Sequence, residues 1–269
     1  MLNEHVHILN SRHGAPTARR LAQYIGCTSG YNYATEPQHL IRWGSSKRLA
    51  RRIPSTTNFA AGIEAASHKG TSHAKFTAAH IPTPEIYGAV TEIPSGVPIL
   101  GRSFTGQRGA GITPYVDRSH VHRSPHDFFT MQIEKSAEYR VHTIKGRPAK
   151  IQRKAAIDGA DSDPIIWSHD RGYEFLNVTR AAAPPYASSL AAAALAVLNL
   201  DFGAVDIIED ADGQPYVLEV NTAPALAPST LDIYARKLAG IIGLSPEDLA
   251  GPEAVEWPEH HPEEELETA

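Results

Sequence analysis

Hydrophobic and polar positions change period several times along this chain, and each change marks an element. HVHILN (residues 5–10) alternates as a strand does, TARRLAQYIG (17–26) has helical spacing, and a further apolar run ends near IRWGSS (41–46). Strand, helix and strand within that span predict a small α/β unit. Residues 58–80 predict helical pieces interrupted near Gly70, and the proline-bearing IPTPEIYGAV predicts a turn entering a strand. PILGRSFTGQRGAGITPYV reads as a strand, a glycine-rich loop and a second extended segment. FTMQIEK, EYRVHTIKG and AKIQRKAAI predict successive strands around a turn at Lys145-Gly146. DGADSDPIIWSHDRGYEF is loop-like, with IIW as a candidate short strand. Pro184-Pro185 followed by alanine and leucine predict a helix from Tyr186 to Asn199, and LDIYARKLAGIIG predicts an amphipathic final helix.

Between those two helices lies the most informative stretch, DFGAVDIIEDADGQPYVLEVNTAP (201–224). Two apolar strands flank Asp212-Gly213, a hairpin turn signal. With those residues at the tip, partner numbers sum to 425, which sets Asp206 opposite Glu219 in the closer, non-hydrogen-bonded kind of pair. Asn221 shares that face. Facing carboxylates repel, so the hairpin either presents a solvated acidic face or holds a cation. Hard divalent ions prefer oxygen ligands.

Composition narrows the function classes. A chain of 269 residues with 42% hydrophobic and 20% charged residues can bury a sizeable core. A net charge of -5 gives no support to nucleic-acid binding. The single cysteine, Cys27, fits a reducing compartment, and no apolar run has the length of a membrane span. The chain is expected to be soluble and cytoplasmic, without a membrane or nucleic-acid partner. After Lys237 there is no Lys or Arg, and the acidic end reads as a disordered tail.

Other candidates carry less. Gly106-Gln107-Arg108-Gly109-Ala110-Gly111 can aim amides at phosphate oxygens, or serve as an ordinary turn between strands. It is neither a Walker A loop nor a dinucleotide fingerprint. Asp201-Phe202-Gly203 lacks the kinase motifs that would accompany it. His120, His122 and His126 lack Cys or Glu at ligand spacing, and 14 histidines make chance clustering ordinary. The charged residues from Gln132 to Lys154 form either a solvated face or a nucleotide site.

Together these pieces resemble the ATP-grasp superfamily, most closely its ribosomal-protein-S6-modification-type carboxylate–amine ligases. The likeness runs from about Lys69 to Leu244, and its specific part is LNLDFGAVDIIEDADGQPYVLEVNTAPAL. The resemblance implies an α/β (α+β) fold with an N-terminal domain (1–66), a central lid domain (67–128), a C-terminal domain (129–245) and the acidic tail (246–269). It implies that Asp206, Glu219 and Asn221 hold Mg²⁺, with Mn²⁺ the alternative, on the phosphates of ATP bound between the last two domains. Lys69, Arg102 and the loop residues Gly106, Gln107, Arg108, Gly109 and Gly111 would meet the phosphates. Gln132, Ile133 and Glu134 would line adenine, with Glu134 or Glu138 on the ribose. Arg140, Arg153 and Asn177 would serve the acyl substrate and reaction centre.

Two departures from the family pattern stand out. Arg102 replaces a common lysine, and Ala204 stands where D-alanine ligases carry arginine, which argues against that subgroup. The implied reaction joins a carboxylate, small-molecule or peptide, to an amine through an acyl-phosphate. A kinase acting on a hydroxyl group and a non-enzymatic nucleotide-binding module are the alternatives. A homodimer is the default assembly.

Overall fold

The computed structural model describes residues 3–104, 111–122 and 125–257. The described residues are mixed α/β and form three sheets. The first is parallel, in the order β2-β1-β3-β4, from β1 (Val6–Asn10), β2 (Thr28–Gly30), β3 (His39–Trp43) and β4 (Ser55–Thr57). Helix α1 (Ala15–Ile25) connects β1 to β2 and ends at Gly26, whose φ of 77° is the left-handed stop that glycine supplies. Because both faces of this sheet are covered, every residue of β1 is buried. Val6, Ile8 and Trp43 enter one core, and Leu9 and Leu40 a smaller one.

Helices α2 (Ala60–Ser67) and α3 (Lys69–Ala78) follow, broken at His68 rather than at Gly70, which is helical. Next comes a small antiparallel sheet, β5-β8-β6-β7, from β5 (Ile86–Tyr87), β6 (Ile99–Arg102), β7 (Thr113–Tyr115) and β8 (Phe128–Met131). The expected domain limit after 128 falls at the first residue of β8, whose pairing is with β5 and β6.

The largest sheet has the order β11-β10-β9-β12-β13. It comprises β9 (Lys135–Ile144), β10 (Arg147–Ala156), β11 (Tyr173–Val178), β12 (Phe202–Asp210) and β13 (Pro215–Asn221). Lys145 and Gly146 both have positive φ, 50° and 70°, the two-residue turn expected between β9 and β10. The IIW segment is irregular, not a strand. One face of the sheet packs on α2, α3 and α4 (Tyr186–Val197). Ala187, Ala191, Ala194 and Leu195 form the buried stripe of α4, small enough to bring the helix close to the strands.

Helix α5 (Pro228–Ile241) packs beside α1, where Leu231, Tyr234 and Leu238 join the core of the first sheet. The segment expected to lack structure from 246 onward is ordered up to Trp257. Val255 is buried in that same core, Gly251 N donates to Tyr24 O at 3.0 Å, and the Arg20 guanidinium lies 4.7 Å over the Trp257 ring. Two apolar side chains in an acidic stretch are enough to anchor it. Among the described residues, no helix is long and apolar enough to cross a membrane.

Candidate functional site

The β12–β13 hairpin places Asp206 opposite Glu219 and Ala204 opposite Asn221, as their numbers predict. It reaches that register by another route. The turn has three residues, not two: Asp210 N donates to Gln214 O at 3.0 Å, and Gly213 takes φ 81°. Near the tip the partners are therefore Ile208 with Tyr216 and Ile207 with Val217. A bulge at Leu218 then adds one residue to β13 and restores the predicted pairing beyond it. The bulge also lets Val217 and Val220 both enter the helix-side core while Glu219 faces the other way. It is pinned from outside: His73 Nε2 donates to Leu218 O at 3.1 Å, and Val217 N donates to Pro82 O at 2.8 Å.

Register carries this face across the whole sheet. One residue from each strand lines up in a single row: Asn177, Gln152, Arg140, Asp206 and Glu219. The adjacent row, on the opposite face, is Val178, Ile151, Val141, Val205 and Val220. Period-two alternation in five strands thus separates a polar face from an apolar one buried against helices.

Charge on the polar face is dense. Asp206, only 6% exposed, takes Arg140 Nε and Nη2 on its two oxygens at 2.8 Å each. Burial alone would raise the Asp206 pKa; the adjacent guanidinium overrides it and holds the carboxyl below its ordinary value. The same guanidinium lies 4.3 Å over the Phe175 ring. Glu219 faces Lys69 Nζ at 3.7 Å. Glu138 is buried and bonded to both Lys135, at 3.0 Å, and Lys154. Burial lowers the pKa of Lys69, with Arg102 pushing the same way and Glu219 opposing.

Arg102, at the end of β6, is buried within electrostatic reach of Glu219 and Glu138, and its Nε has no partner among the described residues. Here Lys69, Arg102, Lys135, Arg140 and Lys154 meet Glu138, Asp206 and Glu219. Among the described residues that meet here cations outnumber carboxylates, which suits a polyanion. An unpartnered buried N–H on a charged group costs on the order of 1–3 kcal/mol or more, and a phosphate oxygen would relieve it. The opposed carboxylates fit a hard divalent ion, which would replace Lys69 on Glu219 and share Asp206 with Arg140. Asn221 Oδ1 accepts Ala223 N at 2.9 Å and retains its second lone pair.

The sequence-predicted residues do not all gather here. Lys69, Arg102, Glu138, Arg140, Asp206 and Glu219 converge. Gly106, Gln107, Arg108 and Gly109 lie outside the described residues, while Gly111 is a turn residue two positions before β7, with φ 73°. Gln132, Ile133 and Glu134 form the link from β8 to β9, where Glu134 is exposed. Asn177 sits exposed on the outer strand, in contact with Gln152 at 3.4 Å.

Arg153 points to the other face, opposite Tyr139. The cause is a second bulge, at Ala149: counting back from the turn pairs Arg153 with Glu138, and the extra residue puts Lys154 there instead. Lys135 and Lys154, which the sequence grouped with the charged residues of 132–154 without assigning a role, reach this face through Glu138, and Gln152 is the polar-face residue that the sequence reading missed. Alternation outward from Arg140 would have found Gln152 and Lys154 only with that bulge known, while Lys135 follows a separate irregularity where β9 pairs with Glu209 and Asp210 of β12.

No protein-family model matches the sequence, and a search of characterised proteins finds no significant relative. Solved structures do match. The D-alanine--D-alanine ligase from Bacillus anthracis, also solved with ATP, aligns with a TM-score of 0.61 and 15% identity over 88% of this chain and 92% of its own. The ATP-grasp ligase PsnB, complexed with minimal precursor, Mg and ADP, gives 0.58 and 12% over 94% and 96%. The D-cycloserine synthetase DcsG gives 0.59 and 17% over 87% and 99%. At these identities the likeness is one of fold: the chain has the ATP-grasp fold, as its hairpin motif led us to expect.

Proposed function

We propose that this chain, which has the ATP-grasp fold, is an ATP-dependent carboxylate–amine ligase. The observation that carries the reading is the Asp206–Glu219 pair in a row with Arg140, overlooked by Lys69 and by Arg102 with its unpartnered Nε. Asp206, Glu219 and Asn221 would hold Mg²⁺, and Lys69 and Arg102 would take phosphate oxygens. When bound, ATP and Mg²⁺ supply the phosphoryl group that activates the substrate carboxylate as an acyl-phosphate, with charge neutralised on the transferred group.

Arg140 is placed to orient the reacting carboxylate. It is half-buried, always charged, and held by Asp206 and against the Phe175 ring. The pair also spares the guanidinium reorganisation when charge develops beside it. No protein nucleophile is needed, in keeping with a site rich in cations and carboxylates. The buried positions of Arg102, Glu138 and Asp206 keep water from much of this face, which favours aminolysis over hydrolysis. The site also fits a division of the chain near 66, 131 and 245, with the whole small antiparallel sheet, β8 included, as lid; a soluble, cytoplasmic protein is part of the same proposal.

The test is ADP release in a screen of acids and amines with ATP and Mg²⁺. A ligase requires acid and amine together. Release dependent on a hydroxyl compound alone would make it a kinase, and unchanged release in the Asp206→Ala, Glu219→Ala variant would reject the metal assignment.

A further inference from the structure

The polar row ends at a second feature, a cavity of about 280 Å³ lined by Lys150, Asn177 and Arg180 and by the apolar residues Pro148, Ala149, Ile151 and Val178. Its lining carries two cations and no carboxylate. Lys150 Nζ donates to Ser229 Oγ at 2.7 Å, in the first turn of α5, whose N-terminus adds its partial positive charge.

A hydrogen-bonded chain, buried at Tyr234 and His142 and exposed at Asn177, leads to this cavity. Tyr234 Oη lies 3.1 Å from His142 Nδ1, His142 Nε2 lies 3.1 Å from Gln152 Oε1, and Gln152 Nε2 lies 3.4 Å from Asn177 Oδ1. The chain runs in one direction. Tyr234 is fully buried, and His142 is the acceptor within its reach among the described residues, so its hydroxyl donates. His142 must then donate from Nε2 to Gln152 Oε1, which turns the Gln152 amide toward Asn177 Oδ1. That leaves the Asn177 amide N–H groups, both donors, facing the exposed side. His142 itself stays neutral, because burial first and the Arg140 charge second push its pKa down to about 3.

We infer that this cavity binds a second anionic group, a carboxylate, on an extended substrate whose reacting carboxyl lies beside Arg140. The role of the first carboxyl rests on the ligase reading; the cavity and its donors do not. Arg140 and Asn177 stand two strands apart, roughly 10 Å at ordinary strand spacing. A free amino diacid is too short to bridge them. An extended peptide gains about 3.3–3.6 Å per residue, so roughly three residues fit. The substrate class is therefore an acidic peptide, or a long dicarboxylate of equal span.

The full chain is titrated by calorimetry with α,ω-dicarboxylates of increasing length and with matching monocarboxylates, in the absence of nucleotide. Affinity should rise at least tenfold as the carboxyl separation approaches about 10 Å, and monocarboxylates should show no such rise. Arg180→Ala and Asn177→Asp should each weaken the long diacid at least tenfold; Arg180 is exposed, so its loss leaves folding intact. Gln152→Glu should do the same, since a carboxylate only accepts and forces the Asn177 amide to turn away from the cavity. Length-independent binding, or binding indifferent to Arg180→Ala and Asn177→Asp, overturns the cavity. Unchanged binding in Gln152→Glu overturns the directed chain.

Adding ATP, Mg²⁺ and hydroxylamine separates the two readings. The hydroxylamine nitrogen attacks the activated acyl carbon, phosphate leaves, and a hydroxamate is counted. Length-selective binding without hydroxamate sinks the ligase reading and keeps the cavity. Hydroxamate from monocarboxylates and diacids alike does the reverse.

Discussion

Asp206→Asn removes one half of a bidentate pair whose partner has no carboxylate of equal geometry. The Arg140 side chain is 20% exposed and that of Asp206 8%, so solvent does little to screen either. Breaking such a buried pair costs about 3–5 kcal/mol, because the remaining charge keeps its desolvation without its counterion. Phe175 stays stacked on the guanidinium, and Glu219 and Glu138 still attract it, so the lower end, about 3 kcal/mol, is expected. For a chain of this size that is a fall of roughly 6–12 °C in Tm.

Arg140→Met should cost a similar amount by stranding Asp206, and the double variant should recover most of it, giving a coupling of about 2 kcal/mol or more. The pH dependence has a definite sign. Asp206 has a folded-state pKa below the unfolded value of about 3.9, so its contribution is present above that value and lost as pH falls through the folded one. The difference between wild type and Asp206→Asn should accordingly hold steady from pH 7 to about pH 5 and shrink only in stronger acid. Urea unfolding at several pH values measures all of this. A single-variant loss below about 1 kcal/mol, or strict additivity in the cycle, would refute the reasoning.

Arg102→Met should raise Tm without nucleotide, since it removes a buried cation with an orphaned Nε, and should weaken Mg–ATP binding about tenfold or more in a titration. Equal affinity for nucleotide would exclude Arg102 from the phosphate site. His142 and His73 are buried with pKa values depressed to about 3 and about 4, so each resists protonation that the unfolded chain accepts. Stability should begin to fall below about pH 6.5, by about 1.4 kcal/mol per pH unit for each, and nuclear resonance titration should find both rings neutral at pH 5. Val255→Asp should cost about 2 kcal/mol by placing a carboxylate in the core beside α1, measurable by thermal unfolding; no change would mean that the segment after 245 does not hold to that core.

Much of the fold was legible because local patterns dominate it. Strands β1 and β3 of the first sheet, the alanine-rich α4 and the Lys145-Gly146 turn each rest on a signal within a few residues, whereas the three-residue strands β2 and β4 left none. The Asp206–Glu219 pairing was legible too, although the two-residue turn assumed for it does not exist. A three-residue turn and the Leu218 bulge shift the register in opposite directions and cancel. At Ala149 nothing cancels, and Arg153 ends on the face opposite the one expected of it. A bulge is decided by what a strand packs and bonds against, here the shared helix-side burial of Val217 and Val220 and the outer hold of His73 and Pro82 on β13.

The amino-acid sequence by itself determined the class of fold and the hairpin, because periodicity and turn chemistry act over short range; the register that sets Asp206 opposite Glu219 also needed the packed bulge at Leu218. The tertiary structure alone decided that Arg140 grips Asp206, that Arg102 is buried with a spare donor, and that Tyr234, His142 and Gln152 aim Asn177 outward. Those contacts join strands and helices distant along the chain, and only packing fixes which charges share a buried volume and which are left to find a ligand.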